Sequence, residues 1–226
     1  MADFYYRLRP MKLSTRLDTI KNKVTVHYDH IWDCCCDHGQ LGIALLSSQP
    51  KSVIHFVDVV DELMVELENQ LQKHASAIQS QWQVHCMDVA NLPLVKDKKN
   101  LIIIAGVGGD LLIELVRSIQ TRNSDIELEF ILCPVLHNYM VRCELIEMGF
   151  GLISETLVKE NKRFYEVIHV SNQATISLTN IGSEMWDLSD SDHQEYLNKT
   201  ISHYQRMEAN PKCVRRVSEQ YQELIG

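Results

Sequence analysis

Two acids, Asp33 and Asp37, bracket the run Cys34-Cys35-Cys36 and lead directly into His38 and Gly39. A loop that grips a pyrophosphate needs several glycines, in the pattern G-x-G-x-x-G, so that backbone N–H groups can close on the anion. A loop with one glycine and two carboxylates repels an anion and suits a cationic ligand carrying an amine or a sulfonium. That chemistry favours S-adenosylmethionine over a nicotinamide dinucleotide. The same two acids also read as an Asx-turn and a helix cap. Asp58 follows Gly39 by 19 residues, near the ~20-residue interval at which an acid accepts the ribose hydroxyls of an adenosine. Asp88 is placed to meet an adenine amino group, although a plain cap is an equal reading. In Ile104-Ala105-Gly106-Val107-Gly108-Gly109-Asp110, three glycines in four positions permit close backbone approach. A target base beside the methyl donor would use that room; a tight strand-to-helix turn is the alternative.

The seven cysteines are odd in number and irregular in spacing, which argues against a disulfide framework. Neighbouring side chains on a strand point to opposite faces, so Cys34-Cys35-Cys36 does not form a ligand set, and no zinc spacing is present. No metal is expected.

The elements that must position these residues follow from periodicity. Residues 11–26 read as a helix, with Leu13, Leu17, Ile20 and Val24 at helical spacing. Strand-like runs occupy 30–35, 52–59, 82–87, 100–106 and 128–134. Helical patterns fill 61–78, 109–120 and 139–148. Short apolar strands separated by helices imply parallel pairing buried on both faces. Residues 150–158 and 164–171 then follow one another across Glu160-Asn161-Lys162-Arg163, which suits a hairpin. The expected fold is α/β: a doubly wound, Rossmann-like sheet of the class I methyltransferase kind, with a terminal hairpin and an antiparallel end strand. Ligands of such sheets bind at the carboxyl edge of the strands. A dinucleotide-binding fold is the rival.

The tail has a different character. Ser189 or Asp190 can cap a helix carrying Leu197, Ile201 and Tyr204, and Asn210-Pro211 restarts a second one with Val214, Val217, Tyr221 and Leu224. Each has one narrow apolar stripe, so the two should pack as an antiparallel pair. The division expected is 1–180 for the ligand-binding domain and 181–226 for a helical hairpin extension.

The net charge is −8, which does not favour a nucleic acid. Its distribution does: residues 1–23 carry six cations against two acids, and Arg206, Lys212, Arg215 and Arg216 cluster in the tail. Local basic patches on an acidic body can hold phosphates, and they can equally be solvated helix faces. No window has the ~18 consecutive apolar residues of a membrane span, and the N-terminal stretch is not a secretory signal. No membrane partner and a cytoplasmic location are expected.

Taken in order, Leu13-Ser14-Thr15-Arg16-Leu17, Asp33-x-x-x-Asp37-His38-Gly39-x-Leu41, Ile104-Ala105-Gly106-Val107-Gly108-Gly109 and Leu132-x-Pro134 resemble the bacterial tRNA adenine-N1 methyltransferases that act on a D-arm adenine. The resemblance covers residues 11 to about 170, and that family also ends in a helical coiled-coil extension. It implies S-adenosylmethionine as cofactor and tRNA as partner. It assigns cofactor binding to Asp33, Asp37, His38, Gly39, Asp58, Asp88, Ala105 and Gly106, and substrate binding to Arg16, Gly108, Gly109, Pro134 and Asn138. It names no catalytic base. The chain departs from the family where Cys35 replaces a glycine, Gln40 a tyrosine, and Val135 the asparagine that follows the proline, with Asn138 three residues on. Two other readings remain open: a methyltransferase of a small molecule or protein, favoured by the acidity, and a cofactor-binding module without turnover, favoured by Cys35.

Overall fold

Ser14 starts the first helix as its side-chain Oγ accepts the backbone N–H of Leu17, one of the donors a helix start leaves free. The computed structural model describes residues 12–208 and 216–225. Helix α1 runs Thr15–Lys23, shorter at both ends than the apolar spacing suggests. The parallel half then alternates regularly: β1 (His30–Cys34), α2 (Gln40–Ser48), β2 (Val53–Asp58), α3 (Asp61–Ala75), β3 (Trp82–Cys86), β4 (Asn100–Ala105), α4 (Gly109–Arg122), β5 (Glu129–Cys133) and α5 (Asn138–Glu147). The expected helix over 61–78 stops at Ala75, whose carbonyl accepts the Trp82 indole N–H at 3.1 Å, and a 3-10 stretch (Ser76–Gln81) completes the connection. Between β3 and β4 there is only one 3-10 turn, Val89–Asn91.

The antiparallel half comprises β6 (Gly151–Glu160), β7 (Arg163–Ser171) and a two-residue strand β8 (Ile176–Ser177). The expected hairpin is present. Asn161 and Lys162 both take left-handed backbone (φ 47° and 65°), as a two-residue turn between twisted strands requires. The sheet order is β3-β2-β1-β4-β5-β7-β6-β8, with β1 to β5 parallel and β7 antiparallel to β5. Strand β8 has no strong sequence signal and pairs with only Gly151 and Leu152.

Apolar layers cover both faces. Ile20, Leu45, Leu67 and Leu71 of α1, α2 and α3 pack on one, and Leu112, Val116, Ile119, Val141 and Leu145 of α4 and α5 on the other. Each such fully buried side chain contributes about 1.5–3 kcal/mol. Strand β4, buried from Asn100 to Ile104, runs between the two layers.

Helix α6 (Ser191–Glu208) begins where Asp190 Oδ1 accepts the N–H of Asp192, and α7 spans Val217–Gln222. Leu197, Ile201, Val217 and Tyr221 form a third apolar cluster with Tyr139, so α6 and α7 are seated on α5. The expected restart at Asn210-Pro211, and the basic residues Arg7, Arg9, Lys212 and Arg215, lie outside the described residues. No helix among the described residues is long and apolar enough to cross a membrane.

Two buried polar arrangements belong to the fold. Arg142 of α5 is fully buried; its Nε lies 2.7 Å from Glu166 of β7 and its Nη2 2.7 Å from Glu155 of β6. Glu155 also accepts the backbone N–H groups of Ser183 and Glu184 at 2.6 Å. On the first three strands, His30 Nδ1 lies 2.9 Å from His55 Nε2, and His55 Nδ1 lies 3.0 Å from His85 Nε2. The His55 ring stacks on Trp32 at 3.8 Å. Burial, with the two neighbouring rings, pushes the His55 pKa down to about 3.

Candidate functional site

The loop after β1 folds back on the end of β2. Cys36 donates its N–H to the Val57 carbonyl, Asp37 donates its own to Asp58 Oδ2 at 3.0 Å, and Asp58 Oδ1 accepts from Val59 and Val60. Cys35 and Asp37 both sit at φ 53°, and Gly39, just before α2, at φ 66°. Left-handed backbone costs a residue with a Cβ about 1–2 kcal/mol, so this loop holds two strained positions. Asp88 continues the row at the end of β3, where its carboxylate accepts the N–H of Ala90.

These acids differ in exposure. Asp37, Asp58 and Asp88 lie on the rim, whereas Asp33 is 4% exposed and accepts the Gly42 N–H at 2.8 Å. Burial raises the Asp33 pKa to about 7, opposed by the Gly42 hydrogen bond and aided by the charge of Asp58. Among the described residues, no Lys or Arg pairs with any of the four; the nearest basic group is His38, 3.5 Å from Asp37. The thiols here stay protonated: burial pushes Cys35 up to about 11 and raises Cys34 and Cys36 as well. The Cys35 side chain is half-buried against the apolar layer of α4 and α5.

Beyond β4 the chain makes a glycine-rich floor in which Gly106 is exposed and Gly109 buried. Gly106 (φ 85°) donates its N–H to the Cys133 carbonyl, and Val135 donates to that of Val107, which ties the loops after β4 and β5 together. A Cβ on Gly109 would stand 2.7 Å from the Leu136 carbonyl oxygen, so only glycine fits. A Cβ on Gly106 would meet nothing nearer than the Arg16 guanidinium at 3.6 Å. Arg16 lies over the Tyr165 ring at 4.9 Å, and its backbone N–H is held by Glu160. The structure therefore brings Arg16 to the glycine floor from 90 residues away in the chain. Pro134 is buried.

Asn138 opens α5, and its Nδ2 donates to Tyr196 Oη of α6 at 3.0 Å, so it faces the helical extension. Sequence reasoning did not find Tyr196, Arg163, Phe164, Tyr165 or Lys199, which surround Asn138 in a pocket of about 370 Å³. The signal available was the cation-aromatic run Arg163-Phe164-Tyr165 directly after the hairpin turn.

The family model described as a methyltransferase domain matches residues 13–168. No curated protein matches the sequence. Among solved structures, the B. subtilis m1A22 tRNA methyltransferase TrmK superposes with a TM-score of 0.69 at 19% identity, covering 94% of each chain. TrmK of M. capricolum, bound to S-adenosyl-homocysteine, gives 0.68 at 15% identity, covering 93% of this chain and 92% of that one. The magnesium protoporphyrin IX methyltransferase of Synechocystis, with bound SAM, gives 0.55 at 14% identity and covers 69% of this chain and 81% of that one. At these identities the likeness establishes a shared Rossmann-like fold.

Proposed function

The chain belongs to the methyltransferase-domain family, and from that premise we propose that it transfers a methyl group from S-adenosylmethionine to N1 of an adenine in tRNA, in the cytoplasm. The observation that carries this reading is the row of acids without a Lys or Arg partner among the described residues, beside the floor of Gly106, Gly108 and Gly109. Such a rim suits a ligand with a positive amine and sulfonium, and what faces Gly106 beside it is the end of a flexible side chain, the Arg16 guanidinium. The tRNA assignment is supported by coverage. Likeness to the two tRNA methyltransferases extends over the helical tail, whereas likeness to the porphyrin enzyme covers only about two thirds of the chain. A boundary near residue 181 for the helical extension is supported by Ile181 and Trp186, which pack with the third cluster.

When bound, S-adenosylmethionine supplies a methyl group already activated on a sulfonium. Asp58 takes the ribose hydroxyls, Asp88 the adenine amino group, and Asp33 and Asp37 the methionine amine, with His38, Gly39 and Ala105 shaping that side. Gly106, Gly108, Gly109 and Pro134 form the floor for the incoming base, with Arg16 and Asn138 at its outer side. Adenine N1 carries a lone pair at neutral pH, so no strong base has to precede attack. The residues act chiefly by alignment and by excluding water. The adenine must leave its stack to reach them.

The test is mass spectrometry of tRNA nucleosides after incubation with the protein and the methyl donor. The expected product is 1-methyladenosine. Methyl transfer only to a metabolite or a protein would redirect the substrate assignment. Tight donor binding with no transfer to any acceptor would make the chain a binding module.

A further inference from the structure

The pocket between α5, β7 and α6 is not needed to hold the methyl donor, and it is built from unusual material. Phe164, Tyr165 and Tyr204 give it an aromatic wall, and Arg163, Lys199 and His203 ring it with cationic or titratable groups. Arg163 and Lys199 are exposed; Lys199 shares Glu195 with Lys159, and Glu195 is held down to about 2 by those two lysines. The volume, about 370 Å³, falls in the ~300–1,000 Å³ range of ligand sites. Arg16 and Tyr165 stand between it and Gly106, so it adjoins the methyl-transfer floor and is distinct from it.

The orientation of Asn138 is dictated from behind. Glu166, paired with Arg142, is a carboxylate and can only accept, so Tyr196 must donate its hydroxyl proton to it at 2.6 Å. That leaves Tyr196 Oη as an acceptor for Asn138, which must turn its Nδ2 toward it. The amide cannot flip without losing this bond. Its Oδ1 is thereby committed to the other side, and it is buried without a partner among the described residues. An orphaned carbonyl oxygen is costly unless a ligand supplies a donor.

We infer that this pocket seats the nucleotide next to the target adenine, with its phosphate at Arg163 and Lys199, its base against the aromatic wall, and an exocyclic amino group on Asn138 Oδ1. Single-stranded RNA is recognised by this combination of stacking and base-edge hydrogen bonds. The amino group selects adenine, cytosine or guanine over uracil. The inference rests on the tRNA reading above.

The test uses the full chain, a tRNA transcript, and fluorescence anisotropy at several salt concentrations alongside steady-state methyl transfer. The double variant Arg163→Ala with Lys199→Ala alters two exposed residues and should fold. It should raise the tRNA Kd and KM roughly ten-fold and reduce the slope of log affinity against log salt by about 1–2, with donor affinity unchanged. In transcripts whose neighbouring base on either side is switched between cytidine and uridine, the wild-type protein should prefer cytidine at one side, and Asn138→Ala should lose that preference. Equal use of both bases by the wild-type protein overturns the base-reading role of Asn138. Unchanged tRNA affinity and salt slope in the double variant, with a wild-type protein that methylates tRNA, overturns the subsite while leaving the function standing. A wild-type protein that neither binds nor methylates RNA overturns both.

Discussion

Carboxylates gather in two regions of this molecule, and the protein treats them in opposite ways. At the junction with the extension, Glu155 and Glu166 are fully buried and answered by Arg142, by two backbone N–H groups at 2.6 Å and by the Tyr196 hydroxyl. Burial alone would raise the Glu155 pKa; Arg142 and those N–H groups outweigh it and hold the group below its ordinary value. At the carboxyl edge, Asp33, Asp37, Asp58 and Asp88 are positioned by backbone N–H contacts or local turns and receive no Lys or Arg among the described residues. A cluster compensated from within the chain holds elements together. A cluster left with surplus negative charge is prepared for a cation that arrives from outside.

That contrast can be broken most severely at the junction. Arg142→Leu leaves two buried carboxylates without their cation, and the expected loss is about 3–5 kcal/mol of folding stability in denaturant unfolding; a loss below about 1 kcal/mol would mean that the junction is not held by charge. At the edge, the Asp33 carboxyl has a folded pKa of about 7 against an ordinary 3.8. The folded state therefore binds the extra proton between those values, so its contribution is full below pH 4 and is lost as pH rises through 7. Asp33→Asn keeps an acceptor for Gly42 and should gain on the wild type by roughly 2–4 kcal/mol between pH 4 and 8. Donor affinity should climb across pH 6–8 in the wild type as Asp33 ionises, and stay flat in the variant. A parallel pH response in both proteins would separate Asp33 from the binding charge. Next in size, Asp58→Ala should weaken donor binding by roughly 1–3 kcal/mol in calorimetry; unchanged affinity removes it from the rim. The smallest effect belongs to Cys35→Gly, which relieves a left-handed residue and should stabilise the fold by about 1 kcal/mol in denaturant unfolding; no gain would mean that the thiol's packing matters as much as the backbone strain.

The comparison also marks what could be read from sequence. Asp33 is the penultimate residue of β1, Asp58 the last of β2, and Asp88 stands two residues past β3, so local pattern located all three, and the hairpin turn declared itself through Asn161 and Lys162. Burial did not declare itself: Asp33 and Asp37 look alike in sequence, yet one lies beneath α2 and the other faces outward. The junction was invisible because Arg142, Glu155, Glu166 and Tyr196 come from four elements, and a charged residue within a helical or strand pattern reads by default as solvated. The 3-10 end of α3 escaped because Ile78 keeps the helical spacing while its backbone (φ −122°) leaves the helix. Arg16 was assigned from a motif alone; only the return of β6 and β7 beside α1 brings it to Gly106.

The histidine row on the first three strands has a further consequence. A neutral imidazole has one N–H and one lone pair, on opposite nitrogens. His55 meets His30 through Nε2 and His85 through Nδ1, so it must donate on one side and accept on the other. If it donates to His85, His30 must donate to it; if it donates to His30, His85 must donate to it. Any single ring that switched tautomer alone would set two lone pairs or two protons face to face. The three rings therefore share two proton arrangements in place of the larger number that independent rings would have, and each arrangement is a line of aligned dipoles running across the strands. Side-chain nitrogen chemical shifts should report all three tautomers changing together or none changing at all.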